Sequence, residues 1–264
     1  MGTEEQSPDS NKKEIVFSNG NRAQLVAPAA GTAAASILKA LDIEQPRGVI
    51  MIAGGAAGLD ESLRPDLVEL FSRGIAAAAA GIDALIVDGG TRVGTMAMIG
   101  QGVAETGRKS ILLGVAPAGK VTYPGGPAEA CIEDGAPLDP NHSHFVLVES
   151  NEWGGETETM YALAKEFSKE IPVLTVLVNG GQVAKHEVLQ SVRHGWPIIV
   201  IEGTGRLADE IATAVREKTE PASDQIAAIV RYDRIVVFNI KVGPDALARL
   251  IRQNLLREPE AYVY

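Results

Sequence analysis

The sequence predicts an α/β fold, with a doubly wound, mostly parallel sheet and helices on both faces. Two observations carry this. Short apolar runs alternate with segments of helical periodicity along most of the 264 residues, the pattern of repeated βαβ units with right-handed crossovers. The runs are continuously apolar rather than alternating, as expected of strands covered on both faces.

Residues 1–12 are polar and are expected to form a disordered tail ahead of a single domain over 13–264. "EIVFS" (14–18) reads as the first strand and "AAASILKALD" as a short helix. "RGVIMIAGG" is a strand closed by Gly54 and Gly55. In "ESLRPDLVELFSRGIAAAAAG", Leu67, Leu70, Phe71 and Ile75 recur at helical spacing, and the alanines 76–80 extend the helix. "DALIVDGG" is a strand, "GTMAMIGQGVAETG" a helix and "SILLGVA" a strand. Residues 117–142, rich in Pro and Gly, form a long loop of the kind that is functional or mobile. The rest follows as strand "HFVLVES", helix "ETETMYALAKEFSKE", strand "PVLTVLVNGG", helix "QVAKHEVLQSVRHG", strand "PIIVIEGTG" and helix "RLADEIATAVREK". A polar break at 218–224 precedes strand "IVVFNI" and helix "PDALARLIRQNLL". That last pair lies in a C-terminal extension (225–264) that either completes the sheet or forms a dimer surface.

The net charge of −10 argues against a nucleic-acid backbone as the main partner, while leaving room for a phosphate ligand in a local positive pocket. The single cysteine, Cys131, allows no internal disulfide and fits a reducing cytoplasm. The N-terminus is unlike a signal peptide. The longest apolar stretch, interrupted at Asp83, is too short to span a membrane.

Glycine clusters recur where strands give way to helices: Gly54–Gly55, Gly89–Gly90, Gly154–Gly155, Gly180–Gly181, and Gly203 with Gly205. In a parallel sheet these joins share the carboxyl edge, where open α/β folds bind ligands. Glycine there either makes a tight turn or lets the backbone approach an anion held at a helix N-terminus. In "DGGTRVGT", Thr91 and Thr95 offer hydroxyls and Gly94 a further close approach, while Arg92 and, elsewhere, Lys120 and Arg206 are candidate phosphate partners. "GVAPAGKV" fails as a P-loop, because Val121 stands where Ser or Thr should hold Mg²⁺. "GTGRLA", spanning Gly203, Thr204, Gly205 and Arg206, reads as a phosphate-holding helix start without the acidic residue that NAD recognition requires.

His142 and His144, two apart at a strand start, are expected to point the same way, as hydrogen-bonded structural or pocket histidines. Their spacing fits no zinc pattern, and no metal is expected. In "NEWGGETETM", Glu156 and Glu158 fall in a first helical turn, where the dipole favours carboxylates. The same carboxylates could instead lie beside a ribose and support N-glycosidic cleavage.

Taken in order, "GG" at 54–55, "DALIVDGGTRVGTMAMIGQGVAE", "LLGVAPAGKV", "LDPNHSHFVLVES", "IPVLTVLVNGG" and "PIIVIEGTGRLADEIA" resemble the SLOG superfamily, specifically its LSDAT branch, over about residues 48–215. That branch holds the N-terminal cytosolic domain of the TRPM cation channels and stand-alone prokaryotic relatives. The resemblance implies a Rossmann-like sheet that senses a nucleotide-derived ligand, ADP-ribose- or NAD-related. It implies no certain cofactor, and leaves an effector protein and a second copy of the chain as candidate partners. The ligand-binding set it suggests is Gly54, Gly55, Gly89, Gly90, Thr91, Arg92, Gly94, Thr95, His144, Gly154, Gly155, Glu156, Gly203, Thr204, Gly205 and Arg206. The alternative is a nucleotide phosphoribohydrolase resembling the LOG enzymes, with Glu156 and Glu158 as catalytic carboxylates. Their loop P-G-G-x-G-T-x-x-E is matched here only by Gly154, Gly155 and nearby acids, which leans the reading toward sensing.

Overall fold

The computed structural model describes residues 12–55, 59–127, 133–219, 221 and 223–256. The chain opens with an antiparallel pair, β1 (Lys12–Val16) and β2 (Arg22–Val26), followed by α1 (Ala34–Ala40) and β3 (Gly48–Gly54). A single helical path then runs through α2 (Arg64–Glu69), a π-helical segment (Leu70–Ala76) and α3 (Ala77–Ile82) into β4 (Ala84–Asp88). Next come α4 (Gly94–Glu105), β5 (Leu112–Pro117), the short parallel pair β6 (Val121–Thr122) and β7 (Ala136–Pro137), and β8 (His144–Val148). The chain continues with α5 (Thr157–Phe167), β9 (Val173–Val178), α6 (Gln182–His194), β10 (Ile198–Glu202) and α7 (Arg206–Glu217). It closes with α8 (Asp224–Val230), β11 (Ile235–Asn239) and α9 (Pro244–Leu256).

The sheet has nine strands in the order β1-β2-β8-β5-β4-β3-β9-β10-β11, parallel throughout except for β1 against β2. From β3 the chain builds outward through β4, β5 and β8. The α5 crossover then returns it to the other side of β3, where β9, β10 and β11 follow. This is the doubly wound α/β architecture that the alternating pattern predicts.

Alternation along each strand sends successive side chains to opposite faces. Ile50, Ile52 and Ile86 pack with Leu67, Phe71, Ile75 and Ile99 of the helices on one face, where Leu247 and Ile251 of α9 join them. Met51, Leu85 and Val87 pack with Ile37, Met160 and Leu163 on the other. Leu177 and Val200, also on that second face, meet Val188, Ile211 and Ile229. Small residues set the helix spacing: Ala78 and Ala79 of the alanine run are fully buried, and Gly102 of α4 lies so close to Ser72 that a Cβ there would sit 2.9 Å from its Cα. Backbone signals end the elements. Asp83, Gly195 and Lys218 take left-handed conformations after α3, α6 and α7.

Four expectations change. Lys12, assigned to the tail, is the first residue of β1, pairs with Val26 and binds Asp42 through its ammonium; residues 1–11 lie outside the described residues. "RAQLV" forms β2, whose Ala23 and Leu25 are buried under the long loop. That loop is not structureless: β6 and β7 pair within it, although Cys131 lies outside the described residues. The break at 218–224 is followed by α8, and β11 then completes the sheet beside β10.

Candidate functional site at the carboxyl edge

β3 leads to β4 on one side and β9 leads to β10 on the other, so the chain directions diverge where Gly54 pairs with Val178. In open α/β sheets the ligand crevice lies at this point. Four helices, α4 to α7, begin at the edge, and none has a side-chain N-cap. Their dipole ends face the edge. In α7, however, the Leu207 and Ala208 N–H groups donate to the Gly180 and Asn179 carbonyls at 3.4 and 3.0 Å, and in α5 the Thr157 N–H donates to the Gly154 carbonyl. Among the described residues, α4 and α6 are therefore the two starts whose first N–H groups no loop carbonyl takes. Beside the start of α4 a hollow of about 120 Å³ is lined by Asp60, Glu61, Arg64, Gly94 and Met98. A larger hollow of about 310 Å³ between α7 and α8, lined by Ala214, Val215, Ala227 and Val230 among others, contains none of these loops.

Gly54 is where three loops meet. A Cβ there would lie 2.8 Å from the Val178 carbonyl and 3.0 Å from the Thr95 side chain. Gly90, at φ +69°, crosses β5 so closely that a Cβ would fall 2.8 Å from the Gly114 Cα. Gly89 is open by comparison, its nearest neighbour being Met96. Thr91 is buried and bridged to Leu138, Arg92 is exposed while its N–H bonds the Pro137 carbonyl, and Gly94 begins α4. The Thr204 hydroxyl accepts from the Asn179 N–H at 2.8 Å and donates to the Ile201 carbonyl at 2.7 Å, tying together the loops after β9 and β10. Gly203 and Gly205 carry positive φ, and Arg206 at the start of α7 lays its guanidinium over Gly181. The Asn179 amide reaches toward the Gly55 carbonyl at 3.4 Å.

The two acids of "GGETET" separate. Glu156 is buried, and its Oε2 accepts from the Gly154 N–H at 2.9 Å. Glu158 is exposed. Gly154 abuts Val183 of α6, whereas Gly155 is exposed. Burial raises the pKa of Glu156. The two histidines also separate. His142 is fully buried, with Nε2 2.8 Å from Asp88 Oδ1 and Nδ1 3.1 Å from Asp139 Oδ1. Burial alone would lower its pKa, but the two carboxylates override it and raise it to about 9. His144 instead begins β8, bonds Ser143 and interacts with Leu41, Lys12 and Asp42; its pKa is lowered to about 4, chiefly by burial. It therefore stands on the other face of the sheet, apart from the glycine loops with which it was grouped. Lys120, the other candidate cation, bonds the Glu133 carbonyl.

Two carboxylates escape sequence reasoning. Asp88 closes β4, accepts from the Gly90 N–H at 2.7 Å and from His142, and is fully buried. Glu187, on the second turn of α6, is buried with its pKa raised to about 8, first by desolvation and then by repulsion from Glu156 and Asp88. Both were readable in part. An acid ending an otherwise apolar strand, and an acid on the helix stripe shared by Ala184, Val188 and Ser191, are positions that pattern alone assigns to the interior.

Fold and edge together define a Rossmann-like α/β domain with its crevice at the topological switch point. The chain belongs to the family described as "SLOG in TRPM, prokaryote", which matches residues 47–249 and so extends past the expected limit of 215 into α9. It is similar to the mouse channel "Transient receptor potential cation channel subfamily M member 2", 28% identical over 229 residues. The rat protein of that name is 30% identical over the same length, and a Nematostella vectensis member-like 2 protein is 28% identical over 272 residues. These alignments cover 74%, 74% and 86% of this chain but only 15%, 15% and 17% of the channels, so the chain spans under a fifth of their length. Among the described residues no helix is long and apolar enough to cross a membrane.

Proposed function

We propose that this chain binds a nucleotide-derived small molecule, ADP-ribose- or NAD-related, in the carboxyl-edge crevice, and acts as a sensing domain. The observation that carries the reading is the convergence of four helix N-termini without side-chain caps on one switch-point crevice walled by glycine loops. Phosphates fit the start of α6, where Arg206 overlies Gly181, and the start of α4 beside Arg92. Sugar hydroxyls fit the acidic wall that includes Glu156.

A second reading, N-glycosidic cleavage, is favoured by one feature: Glu156 is a buried carboxyl with a raised pKa, as general acid catalysis requires. Thermal melting against ADP-ribose, NAD, AMP and cyclic nucleotides, followed by assay for free base, separates the two. A ligand that binds the native state raises the melting temperature. A shift with intact ligand supports sensing, and a shift with base release that E156Q abolishes supports cleavage. No shift with any nucleotide refutes both.

A further inference from the structure

α6 starts at the carboxyl edge with Gln182, so Glu187 lies about 7–8 Å along its axis. Helical Cα–Cβ bonds tilt toward the N-terminus, so this side chain is aimed back at the crevice. One turn deeper, Ser191 bonds Thr175 at 2.7 Å and Tyr161 at 3.1 Å, and the interior hydroxyls satisfy one another. That network stops at Glu187. Its carboxyl makes no hydrogen bond or ion pair among the described residues, although the residue is only 6% exposed. At the start of α5, next to Glu156, the Thr157 hydroxyl is buried and without a partner. Buried polar groups left unmade are costly. Here an unpartnered hydroxyl and a nearly buried, unpaired carboxyl lie near the starts of the neighbouring helices α5 and α6.

We infer that Glu187 is a ligand-contacting, specificity-determining residue that, with Glu156 and Thr157, takes the vicinal diol of a ribosyl group whose phosphates lie at the start of α6 beside Arg206. This rests on the nucleotide reading above. A carboxylic acid beside a carboxylate offers one donor and several acceptors, which matches two adjacent hydroxyls. The groups acting on Glu187 are Glu156 and Tyr161 from α5 and Asp88, itself paired with His142, from β4. The neighbouring strands contribute Ala53, Leu177 and Thr175, and α8 contributes Ile226 and Ile229. Glu187 keeps its proton until about pH 8, so its donor role fades above that.

The test is calorimetric titration of the full chain and its E187Q and E187A variants, each first checked for a cooperative melt, with ADP, 2′,3′-dideoxy-ADP and MgCl₂ alone at pH 6.5, 8 and 9.5. Wild type should prefer ADP at least tenfold. E187Q, which keeps a neutral donor, should retain most of that preference and lose its decline above pH 8. E187A should reduce it to under threefold. Equal binding of the two nucleotides, or a preference that survives in E187A, overturns this inference and leaves the nucleotide reading standing. A response to Mg²⁺ that E187Q abolishes makes the cluster a cation site and also overturns it. Silence toward both nucleotides overturns the broader reading and this one with it.

Discussion

Replacing His142 with Gln tests whether the buried Asp88–His142–Asp139 triad holds the loop after β4 in place. In the folded chain the His142 pKa is raised to about 9, against an ordinary value of 6.5. Below 6.5 the imidazole is protonated in both folded and unfolded chains, and the triad's full stabilisation is present. As pH rises from 6.5 through 9, the unfolded chain loses its proton first and the stabilisation drains away. At 1.36 kcal/mol per unit the shift amounts to about 3 kcal/mol. H142Q removes the charge that balances two carboxyls with almost no exposure, a loss of about 3–5 kcal/mol for broken buried pairs. Urea denaturation at pH 6 and pH 9.5 gives the stability gap between wild type and variant. The gap should be large at pH 6 and about 3 kcal/mol smaller at pH 9.5. Glu187 also destabilises the fold as pH rises from its ordinary range toward 8, but it does so in both proteins and cancels in the difference. A gap that stays constant with pH would show that His142 is not charged in the folded state, and would refute the triad as an ion-pair clamp.

Other substitutions follow from the crevice geometry. G90A forces a Cβ against the Gly114 backbone at positive φ and should cost about 2–4 kcal/mol in urea denaturation, whereas G89A should stay within about 0.5 kcal/mol. R206A should weaken binding of a phosphate-bearing nucleotide about tenfold by calorimetry without lowering the melting temperature by more than a few degrees. E156Q should change nucleotide binding at least severalfold while E158Q leaves it unchanged, because Glu156 is buried beside Glu187 and Glu158 is exposed.

Strands buried on both faces were legible because their chemistry is one-dimensional: "RGVIMIAGG" and "IPVLTVLVNGG" leave little besides a central strand. β2 was not, because "RAQLV" alternates polar and apolar at a sheet margin, where the long loop covers one face. The seven-residue α8 carries too few turns to outweigh its polar flank. The π-helical stretch at Leu70–Ala76 has the residue spacing of any helix, so nothing in its pattern marks the widened turn, where Gly74 lies close against Leu247 and Pro244 of α9. In the site, glycine spacing located the edge, since backbone demands are local. It could not sort Glu156 from Glu158, because two positions turn a helical side chain through about 200°. Nor could it sort His142 from His144, because His142 lies in the turn before β8 begins, where strand alternation does not yet apply. Glu187 is hard to read from sequence because an acid on a helix is ordinarily solvated, and only its neighbours along the stripe mark it as interior.

The return of the chain through α5 gives the molecule a seam. One wall of the crevice, with Gly54, Asp88 and Thr95, is complete by α4, whereas Asn179, Glu187 and Arg206 arrive after β9. The two lobes are stitched along the β3–β9 ladder, from Val49 against Val173 to Gly54 against Val178, and by α9, whose Leu247 and Ile251 pack on the first lobe. A molecule seated at its upper end would brace that ladder like a wedge across a joint, and would tighten the second lobe's grip on the first. Severing the chain between Phe167 and Val173 would turn such a domain into two fragments whose reassembly reports the ligand.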